Sequence, residues 1–270
     1  MMTPEFAASP TVAAVATACP LAVLGSGCRV ATERGLSKEL AMCSRYSLTS
    51  PSEAVRSYFG AFDREEFPPR YNIAPTQPVH IVRRDSQGQT RLGLVRWGLI
   101  PSWVKDPGAF TTLINARAET AADKPSFRAA MRHRRCLVPT DGFYEWTGPK
   151  GAKRPHLIRP RGGGLMAMAG VFDHWLGADG SEIETMAILT VAANRTMRGL
   201  HDRMPALLER SEFGAWLDCT SGRADMAAAL MRPARGDLLE IIEVSPKLNN
   251  PRNEGPQVQE PVSPGLFQEL

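Results

Sequence analysis

Cysteine is scarce in this 270-residue chain: five residues, at positions 19, 28, 43, 136 and 219, with no C-x-x-C pair among them. An odd number at such spacings excludes a disulfide framework and a zinc ribbon, and it fits a reducing cytoplasm. Long apolar runs are missing too, since nothing approaches the roughly 20 residues that span a bilayer. No Lys or Arg precedes Arg29, whereas Glu5 does, so residues 1–41 lack the positive start of a secretory signal. Charge of one sign is in short supply as well. Lys and Arg number 32 against 28 Asp and Glu, and residues 1–41 hold three of each kind, which leaves 29 against 25 for the rest. The whole excess of four lies beyond residue 41, too little to identify a nucleic-acid partner by itself.

Its distribution says more. Arg83, Arg84, Arg91, Arg96, Lys105, Arg117, Arg128 and the run Arg132-His133-Arg134-Arg135 are interleaved with Trp97, Trp103, Phe110 and Phe127. Such a mixture suits a groove that tracks phosphates and stacks bases. It equally describes a solvated helix face in the case of Arg132 to Arg135.

Residues 1–41 are rich in Ala, Thr, Val and Ser and carry one apolar run, Val12 to Leu24, broken by Pro20. They read as a disordered leader or a misplaced start, ahead of a folded domain over 42–262 and a short tail over 263–270. A strand over Cys43 to Leu48 opens that domain. Ser50-Pro51-Ser52-Glu53 has the form of a capping box that starts a helix reaching about Tyr58. Pro78 to Arg84 and Thr90 to Trp97 read as a hairpin, and Lys124 to Arg134 as a basic amphipathic helix. Short strands follow over Arg135 to Val138, Phe143 to Thr147, Pro155 to Arg159, Leu165 to Val171 and Glu184 to Val191. Helical stretches are expected over Ala193 to Leu200, Ser211 to Leu217 and Arg223 to Met231, with a last strand over Leu238 to Val244 and an irregular end, Asn249 to Val262. The pattern predicts an α+β fold: a mainly antiparallel, barrel-like β-sheet core with peripheral helices.

Chemistry is concentrated at Met42-Cys43-Ser44-Arg45-Tyr46. If the chain began at Cys43, a free α-amine would stand two carbons from a thiol, a pair that condenses with an aldehyde to an imine and closes to a thiazolidine. An internal cysteine has only an amide nitrogen, and a half-buried internal thiol is the plainer reading of this pentapeptide alone. Glu145 lies among rings in Phe143-Tyr144-Glu145-Trp146, where partial desolvation would raise its pKa and let it carry a proton near neutrality. His201 titrates in the same range. Asn115 and Arg117, two apart on an extended segment, share a side.

Five ordered motifs accompany that start: Tyr71-Asn72-Ile73-Ala74-Pro75, Arg96-Trp97-Gly98-Leu99-Ile100-Pro101, Asn115-Ala116-Arg117-Ala118-Glu119-Thr120, Asp141-Gly142-Phe143-Tyr144-Glu145-Trp146 and His201-Asp202-Arg203-Met204-Pro205. Together, from about Met42 to Val262, they resemble the SOS-response-associated peptidase (SRAP) family. The resemblance implies a monomeric protein that recognises abasic sites in single-stranded DNA and attaches to them covalently through a thiazolidine at an N-terminal cysteine, with no metal or organic cofactor. It implies catalytic roles for Cys43, Asn115, Glu145 and His201, and DNA contacts from Arg45, Asn72, Pro75, Trp97, Arg117 and Arg203. Ser44 departs from the glycine usual after the family's cysteine. Two other functions stay open on sequence: a cysteine peptidase with Cys43 as nucleophile and His201 as base, narrowest as removal of its own leader, and a non-catalytic single-strand-binding module.

Overall fold

Close packing of two β systems decides where every later feature sits. The computed structural model describes residues 43–220 and 224–262. In chain order the strands are β1 (Tyr46–Leu48), β2 (Arg70–Ile73), β3 (Pro78–Arg84), β4 (Thr90–Trp97), β5 (Asn115–Arg117), β6 (Arg135–Thr140), β7 (Gly142–Thr147), β8 (Arg154–Pro160), β9 (Met166–Leu176), β10 (Glu182–Ala192), β11 (Arg203–Pro205), β12 (Leu207–Leu208) and β13 (Leu239–Glu243). The helices are short: α1 (Ser52–Phe59), α2 (Ala118–Ala121), α3 (Arg128–His133), α4 (Phe213–Leu217) and α5 (Ala224–Ala229). No helix among the described residues is long and apolar enough to cross a membrane.

Strands β10, β4, β3, β6 and β9 pair in that order, and β9 returns to β10, closing a five-stranded barrel. Four of its pairings are antiparallel and β4–β10 is parallel, so the core is a mixed barrel of the α+β class. Closure removes the free edges that an open sheet would expose. Ile81, Leu137, Met168, Met186 and Ile188 lie fully buried in its core cluster. Gly170 is required where β6, β9 and β10 converge: a Cβ there would lie 2.9 Å from Cys136 Sγ and 3.0 Å from Val138 Cγ2. A second, antiparallel sheet runs β13-β8-β7-β1-β2.

Alternation and turn residues predict the β3–β4 hairpin residue for residue. Strand β9 runs on to Leu176, five residues past its expected end, whereas β10 begins two residues early and ends one late. Helix α1 begins at Ser52 without the predicted capping box: Pro51 is its N-cap, with no side-chain cap bond. Ser50 is occupied elsewhere, its N–H and hydroxyl both donating to the Asp141 carboxylate. Lys124 to Arg134 is helical only from Arg128, and Ala193 to Leu200 is a loop with one 3-10 turn, Met197–Gly199. There the Asn194 side chain accepts the Met197 N–H and donates to Ala234 O, drawing the backbone away from a regular helix. The leader, the 263–270 tail and Arg223 lie outside the described residues.

Residues 249–262 are irregular, as expected, apart from one 3-10 turn, Pro256–Val258, and they are firmly stitched down. Asn72 Nδ2 donates to the carbonyls of Asn250 and Asn253 at 3.0 and 2.9 Å. Gln259 Nε2 donates to the Tyr144 hydroxyl, which donates to Tyr71 O.

Asp141 holds the corner between β6 and β7 against the chain after β1, accepting from the N–H and hydroxyl of both Thr49 and Ser50. Asp141→Ala would leave two backbone N–H groups short of partners, costing about 2–3 kcal/mol. Urea denaturation should show a lower midpoint with an unchanged slope.

Candidate active site

Every residue of Asp141-Gly142-Phe143-Tyr144-Glu145-Trp146 has a separate task. After the Asp141 corner, Gly142 admits the neighbouring strand, since a Cβ would meet Leu157 Cδ1 at 2.7 Å. Phe143 fills the core, and Tyr144 ties β7 to β2. Glu145 returns to the core-facing side of the strand. Its Oε1 accepts the Cys43 N–H at 2.8 Å, across 102 residues of sequence. Trp146 donates its indole N–H to Asn249 Oδ1, and Asn249 Nδ2 donates to Lys153 O.

Both groups of the Cys43–Glu145 pair are removed from water, with exposures of 0% and 5%. Burial pushes the Glu145 carboxyl up to about 7, opposed by hydrogen bonds from the Cys43 and Trp146 N–H groups and assisted by the charge of Asp202. Burial, then the neighbouring Glu145, raises the Cys43 thiol well above its usual range. The site thus holds a carboxyl poised to give or take a proton and a thiol that stays protonated. Cys43 also has φ = +45°. A left-handed conformation costs an internal L-residue about 1–2 kcal/mol, through a clash that involves the neighbouring carbonyls.

Glu145 shares a pocket of ≈ 490 Å³ with His201, Arg45, Ser44, Trp146, Lys153 and Asn249, among others. Nδ1 of His201 accepts the Arg203 N–H at 3.0 Å and lies 2.8 Å from Asp202 Oδ1. The first contact favours the neutral ring and the second the protonated one. Burial dominates and lowers the pKa, with Asp202 opposing and Arg203 assisting. Arg45 sits at the mouth, its Nη1 donating to Asn72 Oδ1 at 2.7 Å and Leu248 O at 3.2 Å, with its guanidinium carbon 5.8 Å from the Trp146 ring centre.

Cys43, Arg45, Glu145 and His201 therefore converge. Asn115 and Arg117 lie on β5 along β10, half-buried and exposed respectively, and neither lines the pocket. Arg203, expected on a phosphate, is committed to Glu119 and to Thr190 O. Asn72, expected on the DNA path, is fully buried behind Arg45 and positions it. Trp97, expected to contact DNA, requires correction: at 0% exposure it packs edge-to-face on Tyr46 and donates to Ile114 O, which makes it core. Pro75 is half-buried in the turn after β2. Sequence reasoning missed Trp146, Lys153 and Asn249 as pocket residues; a Trp beside a candidate acid was the one available signal. Among the described residues no three His, Cys, Asp or Glu side chains gather as a metal site would need.

A family model described as "SOS response associated peptidase (SRAP)" matches residues 42–251. The abasic site processing protein YoqW of Bacillus subtilis is 37% identical over 224 residues, covering 81% of this chain and 99% of its own length. The abasic site processing protein HMCES of Mus musculus is 31% identical, with 82% of this chain and 76% of its own length covered. A crystal structure of a Bacteroides thetaiotaomicron protein superposes with a TM-score of 0.73 at 26% identity, covering 82% of this chain and all of that one.

The raised carboxyl has a measurable consequence in the full chain. Glu145 folded holds its proton to about pH 7, whereas unfolded it releases it near 4.5, so the folded state binds more protons between these values and loses stability as pH rises through them. The loss amounts to about 3 kcal/mol above pH 7. Glu145→Gln keeps an acceptor for the Cys43 N–H and has no charge to bury. It should match the parent near pH 4.5 and exceed its stability at pH 8; chemical denaturation at the two pH values measures the difference.

Proposed function

We propose, from the premise that this chain belongs to the SOS response associated peptidase (SRAP) family, that it processes abasic sites in single-stranded DNA by forming a thiazolidine at Cys43. The observation that carries this reading is the Glu145 carboxyl 2.8 Å from the Cys43 nitrogen. As the chain is written, that nitrogen is an amide and cannot add to an aldehyde. Once Cys43 is the first residue it is an amine with a reference pKa of about 8, and Glu145 lies where it would take the amine's proton.

The steps balance without an external reagent. His201 delivers a proton to the sugar ring oxygen while the C1′ hydroxyl gives one up to solvent, the bond from C1′ to the ring oxygen breaks, and the ring opens to its aldehyde. The α-amine adds to the carbonyl and expels water, giving an imine. The Cys43 thiol then adds to the imine carbon: a C–S bond forms and the thiol proton passes to nitrogen through Glu145. A thiol held high in pKa is tolerable here because the imine is tethered beside it, and tethering supplies a large effective concentration. The linked protein shields the lesion. An imine that fails to close can instead eliminate the 3′ phosphate, so strand cleavage is a side branch. Arg45 and Arg117 are the cations we assign to flanking phosphates.

Cys43→Ala in a chain starting at residue 43 keeps the amine and loses the thiol. It should give an adduct with abasic single-stranded DNA only after borohydride reduction, whereas the parent gives a heat-stable adduct untreated. A heat-stable, unreduced adduct of the alanine variant as abundant as the parent's would end the thiazolidine reading.

The same hydrogen bond favours a second activity, cleavage of the Met42–Cys43 bond by the protein itself. The Cys43 thiol adds to the Met42 carbonyl and forms a thioester. The C–N bond breaks as Glu145, which touches that nitrogen and is partly protonated near pH 7, gives it a proton and takes up the thiol's. Water then hydrolyses the thioester to free the Met42 carboxylate. Purified full chain should then lose residues 1–42 in a first-order, concentration-independent process slowed by Glu145→Ala. Intact mass over time reads it, and a stable full-length mass would sink self-cleavage.

A further inference from the structure

Glu145 has a buried neighbour that the chemistry above leaves unused. His156 of β8 is its direct partner across the β7–β8 ladder, two residues from the Phe143–Ile158 pair whose side chains enter the main core. Directly opposed residues project to the same face of a sheet with Cβ atoms about 4.5–5.5 Å apart. On its other side His156 opposes Glu243 of β13. Glu145, His156 and Glu243 thus form a row across three strands, with Glu145 at the pocket end.

The charges around His156 are unequally available. Glu243 is occupied by Arg154, which lies two residues from His156 on the same strand face and donates from Nε at 2.8 Å. Glu145 is bound by the Cys43 N–H and feels the charge of Asp202. His156 itself is 9% exposed, and its Nδ1 is buried with no hydrogen-bond partner among the described residues. Burial holds the ring below its usual pKa and the Arg154 charge adds to that; Glu243 and the backbone groups of Arg154 and Glu145 oppose it. A ring needed only for volume would be served better by an apolar side chain, since an unpaired buried polar atom costs about 1–3 kcal/mol.

We propose that His156 is a positioning residue for Glu145: its polar ring, alongside the carboxyl in the β7–β8 ladder, sets how tightly Glu145 holds its proton. The dipole of the neutral imidazole offsets part of the desolvation that β7 imposes on the carboxylate. The consequence rests on the proposed role of Glu145 as proton carrier, but the tuning itself is a property of the free protein.

The test is a titration of the Glu145 carboxyl by ¹³C NMR in full chain labelled at glutamate, with the resonance assigned by its loss in Glu145→Gln. His156→Phe should raise the midpoint by about half a unit, a roughly threefold tighter hold on the proton. His156→Lys, which places a formal charge in the row, should lower it by at least as much. The displacements have opposite signs, so whichever variant folds decides the matter, and a role in packing alone would produce neither. A midpoint equal to the parent's overturns the proposal. In matched chains starting at Cys43, the pH dependence of adduct formation should move in the same direction. Displaced midpoints with no adduct from any chain would uphold the tuning and sink the crosslinking reading.

Discussion

A single hydrogen bond, from the Cys43 nitrogen to the buried Glu145 carboxyl, is the constraint to which the rest of the structure answers. It joins the first described residue to the middle of β7, and it holds only if β1 lies against β7 in one register. That register is fixed from both ends. Tyr46 opposes Phe143 and Ser47 opposes Gly142, while Thr140 Oγ1 donates to Ser47 O and Asp141 gathers the two residues after β1. A slip of one residue would turn Cys43 away from the carboxyl and put Tyr46, now against Trp97 in the core, on the opposite face.

Placing a carboxyl at that point has an energetic cost that the surroundings reduce without removing. Two backbone N–H groups favour the carboxylate, burial and Asp202 oppose it, and the balance leaves Glu145 titrating near 7. A salt bridge from Arg45 would have pulled it far lower and made it useless as an acid. Arg45 is instead turned toward Asn72 and the Leu248 carbonyl. The arrangement keeps a cation at the mouth of the pocket while leaving the carboxyl beside the cysteine free to exchange its proton.

Local signals were legible in the sequence and non-local ones were not. The β3–β4 hairpin follows from alternation and a turn, and the desolvation of Glu145 from the rings around it. Ser50-Pro51-Ser52-Glu53 misled because the hydroxyl that would have capped α1 serves Asp141, 91 residues away. Barrel closure depends on a parallel pairing of β4 with β10, which no local pattern announces. Trp97 was ambiguous for the same reason: an aromatic among arginines suits a groove or a core, and only its bond to Ile114 O and its contact with Tyr46 decide for the core. His156 carries no signal of its own, because its neighbourhood is created by the register of β7 on β8.

The irregular stretch after β13 shows how a segment without periodicity becomes part of a site. Some of its carbonyls accept from its own N–H groups, as Asn250 O does from Asn253 N, and side chains complete the set: Asn72 donates to the carbonyls of Asn250 and Asn253. The same Asn72 accepts from Arg45, so the segment's anchorage and the orientation of the pocket's cation depend on one amide. Asn249 extends the coupling to Trp146, next to Glu145. The guanidinium of Arg45 has five N–H donors, and both of its hydrogen bonds are made through Nη1. Its fork is thereby held at the mouth of the pocket. The irregular segment after β13, far from Cys43 in sequence, therefore orients the first charged residue after that cysteine.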